Sequence, residues 1–135
     1  AEGINCRGAD WGPDDRIVFA STTNSGISVV DAGGGQPVVL TTLDQEASER
    51  SHRWPAWTYD GKFVLFNTQH HTRDYHDGNV EAVEAATGVR HVLHRGGAFP
   101  RQVDDRYVTF VRENTVFLLE VDGNMNPVGE PRPVL

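Results

Sequence analysis

The sequence lacks the features that define several common protein classes. A single cysteine, Cys6, excludes an intrachain disulfide and any metal site built from several thiolates. No apolar run approaches the roughly 18 residues that a membrane-spanning helix needs, so we expect no membrane insertion. No basic segment precedes an apolar stretch at the amino terminus, so no signal peptide is visible.

Positive charge is also scarce. Twelve Lys and Arg residues stand against nineteen Asp and Glu residues, which gives a net charge of −7. A chain with this balance repels polyanions, so we expect neither nucleic acid nor an anionic membrane as its main partner. Hydrophobic residues make up 38% of the 135 residues, and this length corresponds to a single domain that spans residues 1–135.

Helical periodicity is missing as well. No window of ten or more residues carries apolar residues at helical spacing, and we predict a loop or a single turn for the polar segment 44–51.

What the sequence does contain is a repeat. An acidic turn, a basic residue and a run of β-branched and aromatic residues recur in segments 11–20, 57–66 and 101–110. Asp15 and Gly61 are 46 positions apart, and Gly61 and Asp105 are 44 apart.

Each repeat continues with further strand signals. Hydrophobic residues alternate with mixed ones in the pairs Ile17/Phe19, Val64/Phe66 and Val108/Phe110, which is typical of a β-strand. A second apolar run, a glycine-containing turn and a short final strand follow in every unit. Four short strands in about 45 residues are typical of a propeller blade. We therefore predict an all-β fold of three four-stranded antiparallel blades, at about residues 8–43, 52–95 and 98–135.

The repeated turns resemble those of the TolB-like and WD-repeat-like β-propellers of bacteria, whose blades carry a Trp-Ser-Pro-Asp-Gly-Lys signature. The copies here read Trp-Gly-Pro-Asp-Asp, Trp-Thr-Tyr-Asp-Gly-Lys and Gln-Val-Asp-Asp-Arg, so the first and third turns lack the glycine. The run Ser-His-Arg-Trp-Pro at 51–55 is similar to propeller regions of bacterial multidomain proteins, including some attached to Ser/Thr kinases. The resemblance implies a bacterial protein, and it leaves the cytoplasm and the periplasm open.

Three blades raise the question of closure, because propellers typically close with 4–8 blades. We expect the chain to form half of a six-bladed β-propeller, completed by a second copy in a homodimer. A piece of a larger propeller and a sandwich-like monomer are the alternatives.

A histidine-rich segment between two predicted strands is the first candidate site. Imidazole and carboxylate groups ligate zinc or nickel, so this loop is a candidate site for a divalent metal; no other cofactor is expected. The alternative is a solvated loop without a ligand. The candidate ligands are His70, His71, Asp74, His76 and Asp77.

The second candidate lies beside the predicted innermost strands. His52, Arg53, Trp54 and Arg101 would place positive charge and an aromatic ring where a ligand could meet the propeller axis. The alternative for Trp54 is a structural wedge between blades.

These observations favour a non-enzymatic module that binds a protein or peptide or assembles with itself. No serine lies in a Gly-x-Ser-x-Gly elbow, which would mark one class of hydrolase. The alternatives are a protein that binds a small ligand or a metal through the loop 70–77 and the channel mouth, and the propeller portion of a larger enzyme or kinase-linked sensor.

Overall fold

The computed structural model of the protein describes residues 6–134 and is built almost entirely from strands. Within these residues the helical structure is limited to one 3-10 turn, Tyr75–Asp77, and no helix is long and apolar enough to cross a membrane. The strands are β1 (Ala9–Trp11), β2 (Arg16–Phe19), β3 (Ser28–Asp31), β4 (Val38–Val39), β5 (Glu49–Trp57), β6 (Phe63–His70), β7 (Asn79–Glu84), β8 (Arg90–Arg95), β9 (Ala98–Gln102), β10 (Tyr107–Arg112), β11 (Thr115–Glu120) and β12 (Arg132–Pro133).

The strands form three sheets of four, each with its strands in chain order. Sheet 1 contains β1–β4, sheet 2 contains β5–β8 and sheet 3 contains β9–β12, and every neighbouring pair is antiparallel. The all-β prediction with three four-stranded antiparallel sheets is confirmed. The first strands, β1, β5 and β9, lie side by side, and we call them the inner strands.

One stretch differs from the prediction. Residues 44–51 were expected to form a loop or a single turn, but the turn ends at Ser48 and β5 already begins at Glu49. The polar sequence gave no sign of this strand start, because Glu49 is buried, paired with His70 on β6 and hydrogen-bonded to His52 and Arg90.

Sheet 2 is covered on both faces. One face contributes Trp57, Val64, Phe66 and Val83 to a core shared with Val18, Ala20 and Ile27 of sheet 1. The other contributes Ala56, Phe63, Leu65, Val80, Ala82 and Leu93 to a core shared with Val108, Phe110 and Leu119 of sheet 3. Adjacent residues of a strand point to opposite faces, so the near-continuous apolar run of β6 can serve both cores.

Sheets 1 and 3 are each covered on one face only. The register of sheet 1 places four apolar side chains on its free side, which we call the leading face: Trp11, Ile17, Phe19 and Val30. The register of sheet 3 places three apolar side chains and one threonine on its own free side, the trailing face: Thr109, Val111, Val116 and Leu118. All eight are partly or largely exposed.

A tryptophan joins sheets 1 and 2. The Trp57 indole Nε1 donates to the carbonyl oxygen of Arg16 at 3.1 Å, and the Trp57 backbone N–H donates to Asp10 Oδ2 at 2.8 Å. The Arg16 guanidinium lies 4.6 Å above the centre of the Trp57 ring. This arrangement combines burial, hydrogen bonding and a cation–π contact in one side chain.

Sheet 1 tolerates no side chain at Gly26, which lies directly against the backbone of Thr41. A Cβ atom there would lie 2.0 Å from the carbonyl oxygen of Thr41, closer than real Cβ contacts. We expect Gly26→Ala to lower the free energy of unfolding by about 2 kcal/mol or more, because backbone must shift to admit the methyl group. Urea unfolding followed by circular dichroism measures this change.

Gly123 provides the matched control. A Cβ atom there would meet nothing within 4 Å. Gly123→Ala should therefore change the free energy of unfolding by less than about 0.5 kcal/mol. Equal effects of the two substitutions would contradict the close approach at Gly26.

Candidate functional site

The inner strands share an unusual backbone conformation at one repeated position. Gly8, Trp54 and Phe99 have φ values of 105°, 55° and 56°. Each residue stands three positions before the end of its inner strand. Positive φ suits glycine, but it is strained for large side chains and costs about 1–3 kcal/mol in such residues. The fold therefore holds two aromatic residues in a conformation that neither prefers.

The two strained residues meet through their rings. The Trp54 and Phe99 ring centres are 4.9 Å apart, and Tyr75 lies 6.2 Å from Phe99. The Trp54 indole Nε1 donates to the Tyr75 hydroxyl at 2.9 Å. Strand β5, strand β9 and the 3-10 turn thus contribute one aromatic ring each.

Two arginine side chains, Arg53 and Arg7, lie near the Tyr75 hydroxyl. Burial lowers the pKa of the Arg53 guanidinium, and the neighbouring Arg7 and Arg50 cations lower it further. Tyr75 opposes this shift, and burial raises the pKa of its own hydroxyl. The Arg53 Nε donates to Ser51 Oγ at 2.8 Å. Although the chain has a net negative charge, three arginines, Arg7, Arg50 and Arg53, lie close to one another beside these rings.

A buried amide lies under the same arginine. Asn67 on β6 stands directly opposite Arg53 on β5, so the two side chains share a face. The Asn67 Oδ1 accepts the backbone N–H of Phe99 at 3.3 Å, whereas its Nδ2 has no hydrogen-bond partner. Asn67 is fully buried, and a buried donor without an acceptor is costly. We call Arg7, Arg53, Trp54, Asn67, Tyr75 and Phe99 the inner-strand cluster.

The structure divides the four residues that the sequence suggested for a ligand site. Arg53 and Trp54 lie in the inner-strand cluster, and Arg101 is adjacent, with NH1 donating to the carbonyl oxygen of Pro55 at 3.4 Å. His52 points to the opposite face of β5 and is completely buried. Neighbouring residues of a strand face opposite ways, so His52 and Arg53 cannot serve one site.

His52 instead belongs to a buried hydrogen-bonded chain. Its Nδ1 lies 2.7 Å from Thr41 Oγ1, and its Nε2 lies 2.7 Å from Glu49 Oε1. Thr41 Oγ1 already accepts the backbone N–H of Ile27 at 2.8 Å. The hydroxyl can therefore donate to Nδ1, and Nε2–H can donate to the carboxylate. This chain ties sheet 1 to sheet 2.

Arg90 extends this chain across sheet 2. Its NH2 donates to Glu49 Oε2 at 2.6 Å, and its Nε donates to Glu81 Oε1 at 3.0 Å. Burial by itself raises the pKa of Glu49, but hydrogen bonds from His52 and Arg90 outweigh it and hold the pKa at about 2. Glu49 is thus a buried carboxylate kept charged by two partners.

The predicted metal loop places its residues apart. His70 is buried, with Nε2 2.8 Å from Thr68 Oγ1 and Nδ1 2.9 Å from the carbonyl oxygen of Ala47. His76 Nδ1 accepts the backbone N–H of Glu113 at 3.4 Å, and Asp77 lies 3.7 Å from Arg112. His71 and Asp74 are exposed. No three His, Cys, Asp or Glu side chains in the part of the chain that the structure describes could together hold a metal ion.

Sequence reasoning missed four members of the inner-strand cluster. They come from four separate segments that only the folded sheets bring together: Arg7, Asn67, Tyr75 and Phe99. One signal was available in the sequence: Trp54-Pro55 and Phe99-Pro100 stand at equivalent places of two repeats. A residue before proline is restricted in conformation, so a large aromatic residue there twice could have indicated a special site.

The pKa of Glu49 leads to a test of the buried chain. Because the folded pKa of about 2 lies below the ordinary 4.5, the stabilisation is complete above pH 4.5 and is lost as the pH falls from 4.5 towards 2. We expect Glu49→Gln to lower the free energy of unfolding at pH 7 by roughly 3 kcal/mol. The loss should shrink steadily below pH 4.5. Urea titrations at a series of pH values measure it.

Glu130→Gln is the matched control, because Glu130 is exposed. Its free energy of unfolding should follow that of the unaltered protein at every pH. If Glu49→Gln left the pH dependence unchanged between pH 4.5 and 2, the buried chain would not be what stabilises this joint.

Comparisons with known proteins bear on the fold. No family model matches the chain, and no curated protein matches it significantly. Solved structures do match. An oligogalacturonate lyase in complex with manganese superposes with a TM-score of 0.73 and 17% identity, over 100% of this chain and 41% of that one. A chain of a nidogen/laminin complex superposes with a TM-score of 0.66 and 15% identity, over 95% of this chain and 47% of that one. Regucalcin, a calcium-binding protein from Agrobacterium tumefaciens, superposes with a TM-score of 0.64 and 15% identity. The match covers 95% of this chain and 43% of regucalcin.

These proteins are β-propellers, and this chain spans less than half the length of each. Sequence identity this low carries the fold and not the activity. With three four-stranded antiparallel sheets arranged side by side on their inner strands, the chain has a β-propeller fold.

Proposed function

We propose that this chain is a non-enzymatic β-propeller module for protein binding, and that a second copy of itself is the partner that completes a six-bladed ring. The observation that carries the proposal is the composition of the two open faces. A contiguous group of apolar side chains left in water marks an interaction surface.

The leading face of sheet 1 repeats the face with which sheet 2 meets sheet 1. Trp57, Val64, Phe66 and Val83 of sheet 2 pack on sheet 1. The strand registers make Trp11, Ile17, Phe19 and Val30 their equivalents. The leading face thus carries the same kinds of side chain as a surface that is already used as a blade joint.

The trailing face of sheet 3 repeats the other half of that joint. Val18, Ala20, Ile27 and Val29 of sheet 1 receive sheet 2. Their equivalents in the register of sheet 3 are Thr109, Val111, Val116 and Leu118. A trailing face placed against a leading face would reproduce the contact between sheets 1 and 2.

The tryptophan joint supports the same pairing. Trp11 occupies the place of Trp57, and it is 63% exposed. Tyr107 occupies the place of Arg16, because both carbonyl oxygens accept the N–H that closes the repeated turn. In the observed joint that carbonyl also accepts the indole N–H. The Trp11 indole N–H, which donates to Asp15 Oδ1 at 3.0 Å in the single copy, could exchange that bond for one to the Tyr107 carbonyl oxygen of another copy.

Two such contacts close a ring of six sheets, because each copy offers one leading and one trailing face. The two-fold axis would run through the centre of the ring. Structural relatives that occur in protein complexes, such as the nidogen/laminin complex, support protein binding as the wider role.

A non-enzymatic role agrees with the location of Thr41, His52 and Glu49. Their order resembles a nucleophile, a base and a carboxylate. Thr41 and Glu49 are each 3% exposed, and His52 is fully buried, so a substrate cannot reach this chain of residues without parting the sheets.

The ring can be tested through its two faces. We expect the protein to sediment as a dimer at micromolar concentration. Trp11→Glu on the leading face and Leu118→Glu on the trailing face should each weaken the dimer about 30-fold or more, because each buries a charge in an apolar joint. Analytical ultracentrifugation over a concentration series measures both effects.

Val89→Glu is the matched control, because Val89 is 62% exposed and lies on sheet 2, away from both open faces. It should leave the dimer intact. A protein that stays monomeric at micromolar concentration would contradict pairing with a second copy. A dimer insensitive to both face substitutions would contradict the proposed contact.

A further inference from the structure

We propose that the inner-strand cluster is a binding site for an oxyanion, a carboxylate or a phosphate, that is carried on a flat apolar group. This inference goes beyond the proposed self-association. All six residues of the cluster come from one protomer, so the site does not depend on the ring.

The first argument is charge. Arg53 is partly buried, and among the described residues it forms no ion pair. The titratable groups that act on it most strongly are the cations Arg7 and Arg50 and the hydroxyl of Tyr75. A half-buried guanidinium that faces other cations instead of a carboxylate is unusual, since such groups are normally paired. An incoming oxyanion would supply the missing partner.

The second argument is the unpartnered amide. Asn67 lies opposite Arg53 on the same face, is fully buried, and leaves its Nδ2 without an acceptor. Its Oδ1 is held by the Phe99 backbone, so the amide cannot turn away without breaking that bond. A fixed, unsatisfied N–H donor beneath a guanidinium matches the oxygen atoms of a carboxylate or phosphate, which would reach it by moving the Arg53 side chain aside.

The third argument is the aromatic wall. The Tyr75 hydroxyl accepts the Trp54 indole N–H, so its own O–H can donate to a ligand oxygen. Phe99 lies beside both rings and is 42% exposed. The fold holds Trp54 and Phe99 in a strained backbone conformation, and strain of this kind concentrates at ligand sites. A flat apolar body could stack there while its oxyanion meets Arg53.

Isothermal titration with small probes tests the site. Benzoate and phenyl phosphate present a carboxylate and a phosphate on a ring, whereas benzamide is a neutral molecule of similar shape. We expect at least one of the two anions to bind ten-fold or more tightly than benzamide. Which anion binds better identifies the preferred oxyanion, and inorganic phosphate reports how much the ring contributes.

Arg53→Gln should weaken anion binding at least ten-fold without lowering the melting temperature of the free protein, because it removes a cation that has cationic neighbours. Arg53→Lys keeps the charge but loses the two-pronged geometry, so it should bind with intermediate affinity. It also replaces Arg53→Gln if that variant fails to fold. Arg95→Gln, an exposed position on the outer strand β8, is the matched control.

The proposal is overturned if neither anion binds better than benzamide, or if Arg53→Gln and Arg53→Lys both bind anions as the unaltered protein does. Sedimentation of the same samples shows whether the protein is a monomer or a dimer, so the test of anion binding is separate from the test of the six-bladed ring. Anion binding by a monomer would leave this site standing while the six-bladed ring failed.

Discussion

All three sheets of this protein carry apolar side chains on both faces, and that constraint governs the rest of the structure. A sheet of this kind is stable in water only when something covers it twice. Sheet 2 meets the condition inside the chain, with one core on each side. Sheets 1 and 3 meet it on one side only, and their free sides carry residues of the same type as the covered ones. Because the sequence repeats, the two outer sheets each carry the same kind of apolar face, and each of these faces lacks a covering sheet.

The joint between sheets 1 and 2 combines two stabilising devices of different character. Trp57 works through apolar area and stacking on Arg16, which depend little on pH. The Glu49, His52 and Arg90 chain works through charge, and it is stable only while the carboxylate keeps its partners. A buried ion pair gains little over an apolar contact of equal size, but it tolerates few alternative arrangements. We infer that the apolar half supplies most of the stability and the charged half sets how the sheets align.

Much of the fold could be read from the sequence, because the repeated turn and the alternation in Ile17/Phe19, Val64/Phe66 and Val108/Phe110 are local patterns. The structure shows these pairs at equivalent positions of the three sheets. The turn itself is one residue longer in sheet 2: Gly12 bonds to Arg16, whereas Thr58 bonds to Phe63. An alignment on Asp15 and Gly61 is therefore offset by one residue after the turn.

The site was harder to predict, since it depends on which face each side chain takes and on contacts between sheets. Arg53 and Trp54 could be selected from the sequence, but nothing local distinguishes Asn67 from the other polar residues of β6.

The enclosed imidazole of His52 also provides a natural probe of how often sheets 1 and 2 separate. Its ring is sealed from solvent, and its two nitrogens are occupied by Thr41 and Glu49. A proton held on Nε2 can exchange with water only when sheets 1 and 2 come apart. The lifetime of that proton in a nuclear magnetic resonance spectrum would therefore report how often this blade joint opens, at a single atom and without any added label.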